Sequence, residues 1–365
     1  MILLHIVELS ERILTMPIYV ELKILKEKTM IITRTPFRIS FFGGGTDLPV
    51  WYREHGGAVL STTIDKYLYI SCRKLPPFWD FKHRIIYGSK SEYVNKIDEI
   101  QHPSVRETFR FLNINEGLDL HYTTDLPARS GLGSSSSFTV GLLQALYAYK
   151  GKMVSKMKLA LDTIHIEQNM IGEAVGSQDQ VAAAFGGFNQ IIFKQDDAVE
   201  VCPITIDQNR MLELNNHLVL FFTGFQRNAV DVESDKINNI RSRKLNLTGM
   251  KDMVDKGIDI LNSDKPIVEF GKLLDESWQL KRNLSDKVAT AYIDEIYNTA
   301  LAHGAVGGKL LGAGGGGFIM FFVEPGNRLK LKQALCKLVY VPFRFENTGG
   351  QIIYYKGEEP IVDCL

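Results

Sequence analysis

Apolar residues along this chain fall into two regimes, short runs of strand length and longer stretches at helical spacing, with glycine-rich segments between them. Residues 31–42 read as a strand broken at Pro36, and they run directly into Gly43-Gly44-Gly45-Thr46-Asp47. Residues 118–122 alternate as a half-buried strand, 125–134 follow as a Gly/Ser loop, and Phe138, Leu142, Ala145, Leu146 and Tyr149 then recur at helical spacing. A helix is predicted over 159–170, Gly172 and Gly176 interrupt it, and a short helix over 178–185 ends at Gly186-Gly187 before a strand at 189–194. From about Asp207 the character changes. A buried strand at 218–222 precedes charge-rich helices between Asp231 and Ile260, then helices over 267–282 and 292–303. Gly312 to Gly317 lead into the apolar strand 318–323.

The length of 365 residues, with 45% apolar and 23% charged side chains, predicts two packed domains, divided here into 30–206 and 207–365. Residues 1–29 stand apart as an extension before Met30, where a natural first strand begins. Acidic Glu8 and Glu11 follow its apolar start and no basic segment precedes it, which argues against a signal peptide. No apolar run approaches the roughly 20 residues that a membrane helix needs. Cys72, Cys202, Cys336 and Cys364 form no CxxC pair, so neither a zinc site nor a disulfide framework is expected, and a reducing cytoplasm fits. Lys plus Arg and Asp plus Glu both number 42, so no whole-molecule field gathers nucleic acid or an anionic membrane. Any anion must be held by a local site.

Such a site is written in Leu126-Pro127-Ala128-Arg129-Ser130-Gly131-Leu132-Gly133-Ser134-Ser135-Ser136-Ser137. A Gly-rich turn feeding a helix N-terminus presents unpaired backbone N–H groups at the positive end of the helix dipole, which suits phosphate. The spacing excludes a GxxxxGK[ST] loop, and no HRD or DFG triplet indicates a protein kinase. Gly312 to Gly317 precede a strand and open no helix, so a dinucleotide fingerprint fails on context. Asp179 lies in an otherwise small and apolar stretch, Gly176 to Gly187, where an idle charge is costly.

Pro127 to Ser137 resembles the second motif of the GHMP kinase superfamily, P-x-x-x-G-L-G-S-S; Pro36 to Asp47 is similar to the first motif and Lys309 to Gly317 to the third, in the expected order. The resemblance implies an α+β fold, an S5-like N-terminal domain and a ferredoxin-like C-terminal domain with the active site in the cleft between. It implies ATP and Mg2+ as cofactors, with Pro127, Ser130, Gly131, Leu132, Gly133, Ser134, Ser135 and Ser136 around the nucleotide phosphates. In galactokinase-like members a helix carboxylate sits twelve residues before an Asp-Gln pair, and here 179 − 167 = 12. By that carry-over Glu167 and Ser135 are the metal ligands, with Glu173 the substitute for Glu167. Asp179 becomes the catalytic base, and Arg38 the cation that keeps it ionised.

Gly44, Gly45, Thr46 and Asp47, with Gly314 and Gly315, are implied on the acceptor side. Galactokinases have Gly-Glu-His-Thr-Asp where this chain has Gly-Gly-Gly-Thr-Asp, so two polar readers of galactose are missing. Within the superfamily the strings are most similar to bacterial D-glycero-D-manno-heptose 7-phosphate kinases. This implies a small-molecule sugar phosphate phosphorylated at its anomeric hydroxyl, on the route to nucleotide-activated heptoses, by a monomer or homodimer. Arg227 or the pair Lys281-Arg282 are the candidate cations for the substrate phosphate. A kinase for another sugar such as fucose, a diphosphomevalonate-type decarboxylase and a non-catalytic sugar- and ATP-binding regulator are the alternatives.

Overall fold

The computed structural model describes residues 29–76, 78–128, 131–224, 243–285 and 288–357. The expected extension therefore lies outside the described residues, save Thr29. Thirteen strands form two sheets among the described residues. The strands of the first half are β1 (Met30–Phe42), β2 (Gly57–Lys74), β3 (His83–Tyr87), β4 (Lys90–Val94), β5 (Leu118–Thr124), β6 (Phe188–Phe193) and β7 (Val199–Pro203). Those of the second half are β8 (Leu218–Phe222), β9 (Ala305–Leu310), β10 (Phe318–Val323), β11 (Val339–Val341), β12 (Phe345–Glu346) and β13 (Gln351–Lys356).

The larger sheet runs β13-β1-β2-β5-β3-β4, with β6 and β12 also pairing to the long β2 and β7 pairing to β6. Its pairs are antiparallel apart from β3 with β5. The smaller sheet is antiparallel in the order β11-β8-β10-β9. Every residue of β10, Phe318 to Val323, is buried, which explains its unbroken apolar run: a central strand covered on both faces needs no alternation. The helix Ser134–Tyr149 packs on β1 and β2, and the helix Val268–Arg282 packs on β9. No helix among the described residues is long and apolar enough to cross a membrane.

Three expectations are corrected. Pro36 does not break the first strand, because its missing N–H is absorbed by a register shift between Pro36 and Phe37 against β2. The end of the stretch 207–365 does not stay with the second half: β12 pairs with β2 and β13 pairs with β1, so the chain returns to finish the first sheet. The helix foreseen over 159–170 is an α-helix only over Lys156–Ile164 and continues as a wider π-helical segment, His165–Ile171. The predicted helices between Asp231 and Ile260 are represented by Lys244–Leu261, residues 225–242 lying outside the described set.

The two sheets share one core. Phe270, on the helix Val268–Arg282, meets the ring of Phe41 edge-on at 5.4 Å and that of Phe42 at 5.0 Å. All three rings are fully buried. Truncating Phe270 to alanine leaves a cavity where the sheets meet, and a loss of about 3–5 kcal/mol of unfolding free energy is expected. Urea denaturation of wild type and Phe270→Ala measures it; a loss under ~1 kcal/mol would mean that the two halves do not depend on this contact.

Candidate active site

The three glycine-rich segments converge on one cleft. The helix Ser134–Tyr149 begins at Gly133, whose φ of 77° is left-handed and whose missing side chain caps nothing. Its first turn, Ser134, Ser135 and Ser136, therefore lines the cleft with helix-start amides that no side-chain cap covers. A methyl on Gly131 would stand 2.5 Å from the carbonyl oxygen of Leu311, and one on Gly312 only 2.3 Å from the Cα of Gly131. Backbone meets backbone here, so the second and third segments touch only as glycine.

Arg38 enters from β1. Its Nε donates to Asp179 Oδ1 at 2.8 Å and its Nη2 to Oδ2 at 2.7 Å, a bidentate pair, while Nη1 donates to the carbonyl of Gly131 at 2.8 Å. The backbone of Arg38 also donates to Leu132 O at 3.1 Å, which fixes the strand to the loop. Asp179 sits in the first turn of the helix Gln178–Phe185, facing Gly133 across the cleft: a methyl added there would be 3.3 Å from its Oδ2. The guanidinium is 5% exposed and the carboxylate 25%, so the acid keeps an open side toward the cleft.

Glu167 comes from the π-helical segment and is fully buried. Ser136 Oγ donates to its Oε2 at 2.8 Å and Gln180 Nε2 donates to the same oxygen at 2.6 Å, while Oε1 has no hydrogen-bond partner among the described residues. Burial pushes its carboxyl up to about 7, against the hydrogen bonds that lower it. The hydroxyl that meets Glu167 is thus that of Ser136, one position along from Ser135, which is exposed in the cleft. Glu173 also lines the cleft.

Asp47 is buried, accepting from Gly45 N–H at 2.8 Å and from Gln178 N–H at 3.3 Å. Gly44, Gly45 and Asp47 face the cleft, but Thr46 does not: its hydroxyl donates to the carbonyls of Gly43 and Ala58 and holds the turn from behind. Gly314 and Gly315 are likewise turned away, packed on Val288, with Gly315 N–H donating to Val288 O at 2.9 Å; Gly312 and Ala313 line the cleft in their place. Pro127 and Leu132 support the loop without lining the cleft, Leu132 being fully buried. Ser130 and Arg227 lie outside the described residues.

Two lysines complete the wall. Lys281 donates to Leu310 O at 2.7 Å and Gly312 O at 2.6 Å, and Lys309 donates to Phe41 O at 2.6 Å; both are buried. Lys281 belongs to the Lys281-Arg282 pair that the sequence offers for a phosphate-facing cation, and Lys309 opens the third glycine-rich motif. Ser40, Gln178 and Gln180 also line the cleft unannounced, though the polar residues flanking Asp179 in a small apolar stretch were a signal. Among the described residues no three His, Cys, Asp or Glu side chains gather to hold a metal ion. A cation here would depend on few protein oxygens, such as Glu167 Oε1, plus those of a bound phosphate, which is how Mg2+ is commonly held.

The family described as GHMP kinases N terminal domain matches residues 99–187, and GHMP kinases C terminal matches 261–341. A D-glycero-alpha-D-manno-heptose 7-phosphate kinase of Campylobacter jejuni is 33% identical over 318 residues, 84% of this chain and 93% of the relative. A solved D-glycero-D-manno-heptose 1-phosphate kinase from Bacteriodes thetaiotaomicron superposes with a TM-score of 0.72 at 27% identity, covering 89% of this chain and 99% of that one. Lactococcus lactis galactokinase with galactose superposes at 0.67, covering 88% and 95%; at 17% identity it speaks for the fold alone.

The raised Glu167 carboxyl has a consequence for stability. Between its ordinary 4.5 and about 7 the folded protein holds a proton that the unfolded chain has released, so stability falls as pH rises through that window. Melting temperatures from pH 4.5 to 8 should decline more steeply for wild type than for Glu167→Gln. Parallel curves would assign the titration elsewhere.

Proposed function

The chain belongs to the GHMP kinase family, and we propose that it transfers the γ-phosphoryl group of ATP to the anomeric hydroxyl of D-glycero-D-manno-heptose 7-phosphate, giving the 1,7-bisphosphate. The observation that carries this reading is the Arg38–Asp179 pair set against the open N-terminus of the helix Ser134–Tyr149. A fixed carboxylate and a phosphate-holding loop face each other across Gly133, which is the juxtaposition that moving a phosphoryl group onto a hydroxyl requires.

Asp179 accepts the proton of the attacking hydroxyl, and the bidentate guanidinium holds it aimed. An anomeric hydroxyl is more acidic than an ordinary alcohol, so modest help from the base suffices. Gly131, Gly133 and the amides of Ser134 to Ser136 hold the nucleotide's phosphates, and Lys281 and Lys309 add positive charge from the opposite wall. Mg2+ would neutralise the phosphate oxygens, and the partnerless Oε1 of Glu167 with the exposed Ser135 hydroxyl fits it. Gly44, Gly45 and Asp47 take the acceptor side, and we place the enzyme in the cytoplasm.

The heptose assignment follows the 33% identical Campylobacter jejuni relative, while the 27% identical solved neighbour is named for a 1-phosphate. The acceptor panel therefore includes heptose 1-phosphate, heptose 7-phosphate, fucose and galactose, with ADP release as the readout. Asp179→Asn should lower kcat on heptose 7-phosphate by about 10²–10⁴-fold while calorimetry still reports ATP binding. Turnover equal to wild type would remove Asp179 from the reaction, and faster use of another acceptor would replace the heptose 7-phosphate.

A further inference from the structure

Among the described residues, the side chains of Ser40 and Gln178 in the cleft have no hydrogen-bond partner. Ser40 Oγ and Gln178 Oε1 are buried atoms with no hydrogen bond, on residues each only 8% exposed, and both residues line the cleft. No described residue bonds the amide nitrogen of Gln178 either, so either orientation of the amide leaves it unpaired. Buried polar atoms nearly always have partners, and an orphaned one costs free energy unless something absent from the free protein completes it.

Their placement says what that is. Gly44 lies between them: a methyl built on it would be 3.6 Å from Ser40 Oγ and 3.7 Å from Gln178 Nε2. The absence of a side chain at 44 leaves a corner with polar groups on both sides. Gln178 is the residue before Asp179, and its backbone N–H binds Asp47. Ser40 is two residues beyond Arg38 on β1, hence on the same strand face. The orphaned pair thus stands between the proposed base and the acceptor-side carboxylate.

We propose that Gln178 and Ser40 are the residues that read the acceptor's own hydroxyls, with the Gln178 carboxamide engaging the hydroxyl on the carbon next to the reacting one. A carboxamide offers a donor and an acceptor side by side, which suits a hydroxyl that must give one hydrogen bond and take another. Ser40 closes the same corner from the strand. The inference rests on the sugar-kinase reading above and adds to it the groups that select the sugar.

The test uses the full chain with ATP, Mg2+ and two acceptors, D-glycero-D-manno-heptose 7-phosphate and its 2-deoxy analogue. Wild type should lose about 10–100-fold in kcat/KM on the deoxy compound, the value of an unpaired buried polar group. Gln178→Met, of similar length without the amide, should lose about as much on the parent sugar and nothing further on the deoxy analogue, with KM for ATP unmoved. Ser40→Ala should show a smaller loss. A Gln178→Met enzyme that still discriminates as wild type does would overturn the assignment. So would a wild type indifferent to the missing hydroxyl, a measurement that needs no variant to fold. If wild type phosphorylates no sugar at all, the parent reading fails with the inference, and that outcome is read before any substitution is made.

Discussion

Gly131 ties the site together from three directions. Its carbonyl accepts from Arg38 Nη1, its Cα touches Gly312, and it leads through Gly133 into the helix start. Arg38 gives Nε and Nη2 to Asp179, so one guanidinium holds the Gly131 loop and the carboxylate in a single planar fork. A longer contact on either side would separate the acid from the loop. The side-chain-free approach of Gly131 and Gly312 brings the third glycine segment against the same loop.

The electrostatics follow from that geometry. Arg38, Lys281 and Lys309 are all buried, and the latter two donate to neutral carbonyls of Leu310, Gly312 and Phe41. Arg38 is paired with the Asp179 carboxylate, and Lys281 and Lys309 set two buried ammonium groups into the cleft wall. Glu167 is governed by burial instead: enclosed by Ser136 and Gln180, its carboxyl is driven toward the protonated form.

Much of this was legible in the chain. The strand–loop–helix order around 118–149, the short helix Gln178–Phe185 and the strand Phe318–Val323 follow from periodicity and glycine placement, because those signals are local. Local signals say less about which atoms face inward. Thr46 sits in the first glycine segment yet points at the backbone of Ala58, and Gly314 packs on Val288, because a loop motif fixes a path and not the direction of each residue along it. The hydroxyl bound to Glu167 belongs to Ser136 because each helical step turns a side chain by roughly a quarter of the circumference, a rotation that four consecutive serines conceal. Strand β13 was missed for another reason: five of its six residues are exposed at a sheet edge, and its pairing with β1 joins residues over three hundred positions apart, which no local pattern records.

Lys309 links the making of the site to the joining of the two halves. It leaves β9, in the smaller sheet, and its ammonium ends on the carbonyl of Phe41 in β1, three residues before Gly44, which faces the cleft. Phe41 is also one of the rings that Phe270 meets from the other half, so the same residue carries an apolar and a charged tie across the junction. The apolar tie is indifferent to what the cleft contains. The charged one lies in the cleft wall, so the residue that ties the halves together also shapes the site.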